Sequence, residues 1–236
     1  MGDENALDRL SDLGWASPVP WAGAATCAEA EERLSRLAGP DSDLLRNPHV
    51  EDLWLREKLI CQPARRILTP RLGADIAVEN VFAVLKRPDR SFEVPWHQDG
   101  VNSSLELDPE RSLAVWIAIT DSSPSNGCIE VASGSHNRGY LEVEVGAKVQ
   151  PGVGKPTVSV AVEKTGPVAQ LSIKAGSACL MDTRLLHRSG PNITASVRIG
   201  VNVRFIARGG INRMSDPGKR VLSIEDERQV SAGDYR

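Results

Sequence analysis

From residue 76 to residue 206 the chain alternates short apolar runs with turn residues. The runs are IAVENVFAVL (76–85), SLAVWIAITD (112–121), CIEVAS (128–133), TVSVAV (157–162), VAQLSI (168–173), SACLMD (177–182) and SVRIGVNVRFI (196–206). Asn126-Gly127, Pro151-Gly152 and Ala175-Gly176 punctuate them. Short strands at nearly regular spacing predict a mainly β sandwich or barrel rather than βαβ units. Ahead of them the texture is helical. Thr26 and Glu29 have the spacing of a capping box, Leu34 and Leu37 supply an apolar face, and Gly39-Pro40 ends the helix. Asn47-Pro48 predicts a second helix start, with Val50, Leu53, Trp54, Glu57 and Ile60 following at helical spacing.

These patterns predict a single domain over 1–236. Residues 1–74 are expected to be mostly helical, 75–207 to form the β core, and the Gly- and charge-rich 208–236 to be a mobile tail. The segment GAKVQPGVGKP (146–156) reads as a long flexible loop and a lid candidate, because structureless loops of that length are often functional.

Composition narrows the partners. A net charge of −3 gives no electrostatic reason to expect nucleic acid or a membrane surface. The amino terminus is acidic, without the apolar stretch of a signal peptide, and no apolar run approaches bilayer length. The four cysteines form no Cys-x-x-Cys pair, so a soluble cytoplasmic protein with reduced thiols is expected.

The candidate chemistry begins in VPWHQDGVN (94–102). In an extended segment His97 and Asp99 point to the same side and can grip one ion, while Gln98 points away into a structural role. A nitrogen and a carboxylate leave an iron(II) site one protein ligand short of two histidines and one carboxylate. His49 lies in the helical part and His136 in a SGSHN turn, where it is expected to bond within the turn. His187, in MDTRLLHRSGPN at the end of a late strand, is the third ligand selected.

Arg198 follows in a strand of otherwise apolar alternation, and residues 183–215 contain neither Asp nor Glu. An arginine turned inward there needs an anion, and a bound carboxylate would meet that need. Arg184, Arg188 and Arg204 are read as solvated. Asn126-Gly127 is read as a hairpin turn, and Asn102 as a substrate contact.

His97-Gln98-Asp99, Asn126-Gly127-x-x-x-Val-x-x-Gly-Ser-His136, His187-x-Ser189-x-Pro-Asn and Arg198 together resemble the phytanoyl-CoA dioxygenase family of iron(II)/2-oxoglutarate oxygenases. The resemblance runs from about Asn80 to Phe205. It implies a double-stranded β-helix, the cupin-like jelly roll, with flanking amino-terminal helices. His97, Asp99 and His187 match the iron ligands, Arg198 the arginine on the distal carboxylate of 2-oxoglutarate, and Ser189 the hydroxyl that assists it. Trp116 matches an aromatic lining the cosubstrate pocket, and Asn80 a polar contact on the strand before. The implied reaction uses O₂ and 2-oxoglutarate, releases succinate and CO₂, and oxidises a small molecule, a secondary metabolite or modified amino acid. Related halogenases carry Gly or Ala at the aspartate position, so Asp99 favours hydroxylation. Desaturation, epoxidation or cyclisation at the same centre, or a metal-binding sensor without turnover, are the alternatives.

Overall fold

The computed structural model describes residues 3–88, 90, 92–142, 144–149, 156–159, 167–225 and 228–236. Strand β1 (Trp15–Pro20) follows helix α1 (Asp3–Leu13), and β2 (Leu44–Arg46) follows α2 (Ala24–Ala38). Next come the short α3 (Pro48–Glu51), a π-helical stretch Leu55–Cys61 that runs into α4 (Gln62–Leu72), and the long β3 (Ile76–Lys86). The middle of the chain holds β4 (Val94–His97), β5 (Val101–Asn102), β6 (Leu105–Leu107), β7 (Ser112–Ala118), β8 (Ile129–Ala132), β9 (Glu144–Val149) and β10 (Pro156–Ser159). The last stretch holds β11 (Val168–Leu171), β12 (Ser177–Met181), β13 (His187–Ser189), β14 (Arg198–Ala207), β15 (Ile211–Met214), β16 (Arg220–Ser223) and β17 (Gln229–Ser231).

The strands form the expected jelly roll, and all recorded pairings are antiparallel. The major sheet runs β1-β12-β7-β14-β3-β16-β17, with β2 also paired to β3, and the minor sheet runs β11-β8-β13-β4. Strand β14 shows how the sequence builds both faces of the major sheet. Ile199, Val201, Val203 and Phe205 join the core that packs against Leu34, Leu59 and Leu68 of the helical layer. Successive side chains point to opposite faces, so Arg198, Gly200, Asn202 and Arg204 face inward, toward the minor sheet. Ala114, Trp116, Cys179 and Met181 share that inner side, packing with Ile129 and Val131 of the minor sheet.

Strand β3 changes phase once. Arg204 pairs with Asn80 and Phe205 with Val78, so Glu79 is an extra residue in a bulge. Ile76, Val78, Val81, Ala83 and Leu85 therefore all reach the outer core. Asn80, Phe82, Val84 and Lys86 are left to alternate inward.

Several expectations are corrected. The first third is mostly helical, as expected, but it also supplies β1, paired with β12, and β2, paired with β3. Helix α2 starts at Ala24 with Gly23 as its N-cap and no side-chain cap, so the Thr26–Glu29 capping box is not used. The reason is upstream: the Trp21 and Ala22 amides donate to the Gly176 carbonyl, which turns the chain into the helix early. Asn47 adopts φ 54° and accepts from the Val81 amide instead of capping. Extended Asp52 then ends α3, and its carboxylate accepts from the Leu55 amide at the start of the next helical stretch. Leu55, Leu59 and Ile60 are buried, whereas Val50 and Leu53 are exposed.

The lid candidate has its described residues in β9 and β10, which pair with each other, and β10 lies alongside β4. Its tip, 150–155, lies outside the described residues, as does the end of the run 157–162 beyond Ser159. The tail is no mobile appendage: β16 pairs with β3 and β17 with β16, while Val221, Leu222 and Ile224 are buried. Apolar residues at 221, 222 and 224 gain too much from burial to remain in water. Leu222→Ala should lower the unfolding free energy by about 2–5 kcal/mol in denaturant titration, the cost of a truncated core leucine. A mobile tail would show almost no change.

Candidate metal centre

His97 closes β4 and His187 opens β13, and the two residues are direct partners in the minor sheet. Their ring centroids lie 4.1 Å apart. Asp99 does not lie in a strand, as alternation had suggested. It sits in the turn after β4, and β14 aims it. The Asn202 amide donates to Asp99 Oδ2 at 2.8 Å, and the Arg204 guanidinium donates to the Asp99 main-chain carbonyl at 2.9 Å. Arg204 also forms a buried ion pair with Glu79 at 2.7 Å, and Glu79 pairs in turn with Lys219. The turn closes tightly at Gly100, where a β-carbon would collide with the Tyr140 hydroxyl.

The ligand atoms of His97, Asp99 and His187 all lie within 4.8 Å of one another. Each imidazole uses Nδ1 on a carbonyl two residues back, His97 on Pro95 at 2.8 Å and His187 on Leu185 at 3.0 Å. A carbonyl only accepts, so in a neutral ring Nδ1 carries the proton and Nε2 presents a lone pair. Burial, then the His187 charge, pushes the His97 pKa down to about 4, so that ring is neutral near pH 7. Burial would raise the Asp99 pKa, yet His187, His97, Arg204 and the Asn202 hydrogen bond outweigh it and keep the carboxyl below its usual range. Each Nε2 stands 3.7 Å from a carboxylate oxygen, too far for a hydrogen bond. With both rings in the neutral form, three acceptors face one point. A cation resolves that repulsion, and two imidazoles with one carboxylate on one side of the ion suit iron(II).

Arg198 is fully buried on the same inner face. It donates to the Gly127 carbonyl, its Nε has no partner, and its guanidinium lies 5.4 Å from the Trp116 ring centroid. Burial pushes its pKa down to about 10. Gly200 makes room for the Trp116 ring, which a β-carbon there would strike. Ser189 is buried on the same side of β13 as His187. Asn80 faces inward but its side-chain oxygen accepts from the Val81 amide. Asn102 lies in β5, and its side-chain oxygen accepts from the Ser104 amide and hydroxyl in a local turn.

Other sequence readings are corrected or confirmed here. Gln98 is structural, as expected, bonding the Gly139 and Arg184 carbonyls and the Leu141 amide. His136 does not bond within its turn but reaches the Ser11 carbonyl of α1 at 3.0 Å. Arg184 pairs with Asp182 and Arg188 with Glu130, and Arg204 is buried rather than solvated. Gly127 has the positive φ expected of an Asn-Gly turn, 76°, but follows a short 3₁₀ turn rather than joining a hairpin.

Sequence reasoning missed Asn202, Arg204, Glu79 and Lys86. The signal for the first two was available: Arg198, Asn202 and Arg204 occupy even positions of one apolar alternation. Lys86, at the end of an apolar strand, reads as a side chain reaching for water. It is instead fully buried and is the register partner of Arg198. Its ammonium donates to the Phe92 carbonyl at 2.7 Å and more weakly to that of Ser189 at 3.4 Å. Burial, then the Arg198 charge, lowers its pKa to about 7 against the opposing pull of Glu93.

Comparison with known proteins agrees with this arrangement. The family model for phytanoyl-CoA dioxygenase (PhyH) matches residues 24–200, and the chain belongs to that family. The phytanoyl-CoA dioxygenase of Arabidopsis thaliana is 29% identical over 133 residues, covering 56% of this chain and 45% of the relative. The 1-deoxypentalenic acid 11-beta-hydroxylase of Streptomyces exfoliatus is 24% identical over 213 residues, covering 86% of this chain and 70% of the relative. EvdO2 of Micromonospora carbonacea var. aurantiaca, solved with 2-oxoglutarate, has the same fold. Its TM-score is 0.74 at 18% identity, over 92% of this chain and 95% of that one. The chain spans about half the length of the first curated relatives that it matches. No helix among the described residues is long and apolar enough to cross a membrane.

Asn202→Leu should weaken metal binding about 10- to 100-fold in a chelator competition, the usual effect of losing a group that orients a ligand. Unchanged affinity would show that Asn202 does not aim Asp99.

Proposed function

We propose that this chain is an iron(II)- and 2-oxoglutarate-dependent dioxygenase that hydroxylates a small molecule while 2-oxoglutarate is converted to succinate and CO₂. One observation carries the reading: a cluster of three acceptors that needs a cation shares the inner face with a buried guanidinium that needs an anion. His97, Asp99 and His187 would hold the iron, and with O₂ the ion and cosubstrate supply the oxidising chemistry.

The chain's own residues bind and orient. Nδ1 of each histidine, fixed on its carbonyl, keeps Nε2 directed at the ion. Asn202 and Arg204 hold Asp99 so that its carboxylate does not swing away. Arg198 would take the distal carboxylate of 2-oxoglutarate through charge-assisted hydrogen bonds, with the Ser189 hydroxyl and the Trp116 ring beside it. Asn80 would line the same pocket. Its side-chain oxygen is already bound to the Val81 amide, which leaves its amide group for the cosubstrate. Phe82, Val84, Asn202 and His97 are only half-buried on the inner side and would border the substrate's approach.

Retention of a carboxylate at Asp99 supports hydroxylation over halogenation, since the halide position is filled by protein. The Streptomyces relative's name, a hydroxylase of 1-deoxypentalenic acid, supports hydroxylation of a small molecule, and a secondary metabolite or modified amino acid is the substrate class we favour.

With iron(II), 2-oxoglutarate and air, the purified protein should release succinate. Arg198→Ala should weaken 2-oxoglutarate binding by about 100-fold, the loss of charged hydrogen bonds worth roughly 3 kcal/mol, while iron affinity stays within about twofold. Absence of both succinate and 2-oxoglutarate binding in the wild type would sink the reading, and equal cosubstrate affinity in the variant would remove Arg198 from its role.

A further inference from the structure

We propose that Lys86 is a second cationic contact for the distal carboxylate of the cosubstrate, beside Arg198, so that the site selects 2-oxo dicarboxylates over 2-oxo monocarboxylates. The inference rests on the proposed function and concerns a residue to which that reading gives no part.

The geometry places the two cations together. Lys86 and Arg198 are register partners on adjacent strands, and both belong to the inner-facing set. They flank the same glycine: Arg198 donates to the Gly127 carbonyl, and a β-carbon on Gly127 would press against the Lys86 chain. Both are among the largest fully buried side chains of the protein. Among the described residues neither has a carboxylate in ion-pair contact. Glu93 acts on Lys86 only at a distance.

Two like charges buried side by side are costly unless an anion sits with them. Both also have hydrogen-bond capacity left over. An ammonium has three donors, and Lys86 uses two, on Phe92 and Ser189. The guanidinium has five, and its Nε has no partner. The Ser189 carbonyl that receives Lys86 belongs to the residue whose hydroxyl is assigned to the same carboxylate.

A purely structural Lys86, pinning the Phe92 and Ser189 carbonyls, is the competing account. A neutral donor could fill that role, and it would be indifferent to what the ligand carries at its far end.

Two ligands of equal chain length separate the accounts. 2-Oxoglutarate carries the distal carboxylate, and 2-oxopentanoate has a methyl group in its place. Binding of each to the iron(II)-loaded protein is measured anaerobically by calorimetry. Wild type should favour 2-oxoglutarate strongly. Lys86→Met should lose about tenfold or more of its affinity for 2-oxoglutarate, as removal of one charged hydrogen bond implies, and keep its affinity for 2-oxopentanoate. Equal losses for both ligands, or none for either, would overturn the proposal.

If the wild type binds neither acid, the proposed function fails as well. If it binds 2-oxoglutarate and the variant binds it equally, only the role of Lys86 falls. Should Lys86→Met not fold, the zinc(II)-loaded wild type with nitrogen-15-labelled lysine gives the answer by NMR. The Lys86 ammonium signal should move with 2-oxoglutarate and not with 2-oxopentanoate; an identical response to both would overturn the proposal.

Discussion

A carboxylate stays ionised inside a protein only when the groups around it outweigh the water it has lost. Asp99 meets that condition through residues far from it in sequence: two histidines in the minor sheet, and Asn202 and Arg204 on β14 in the major one. The aspartate lies in a turn, with no ladder of its own to fix it. Its direction is therefore set by the spacing of the two sheets, and the metal centre is a property of the whole jelly roll rather than of the segment that contains the ligands.

Strand β14 concentrates this dependence. Its odd positions bury Ile199, Val201, Val203 and Phe205 against the helical layer, which fixes the strand's rotation. Once that rotation is fixed, Arg198, Asn202 and Arg204 have one direction available. Packing on one face thus positions chemistry on the other, and polar residues that would destabilise an isolated apolar strand are held by the burial of their neighbours.

The sequence made the strand-rich middle, the HxD pair, the late histidine and Arg198 legible because each is a local pattern: a period of two, a fixed spacing, or an unmatched charge in an apolar run. What stayed hidden depends on contacts between distant segments. Asn47 looks like a helix cap but is taken by the Val81 amide. Residues 221–224 are a short apolar run inside a Gly- and charge-rich tail, and their place shows only in the pairing with β3. Lys86 looks solvent-bound until the loops around Phe92 and Ser189 close over it. Glu79 gives no sign of a bulge, since an acidic residue in a strand more often marks an exposed face.

That bulge has a further consequence. In a strand of strict alternation the parity of a residue's number decides the side on which its side chain lies. Glu79 resets parity, so Ile76 and Val78 face the same side as Val81, Ala83 and Leu85. Were the same residues laid out without the bulge, strict alternation from Val78 onward would send the inward set, Lys86 included, against the helices and turn aliphatic groups toward the ligand cavity. One extra residue at Glu79 thus decides which face of β3 meets the helices and which meets the ligand cavity.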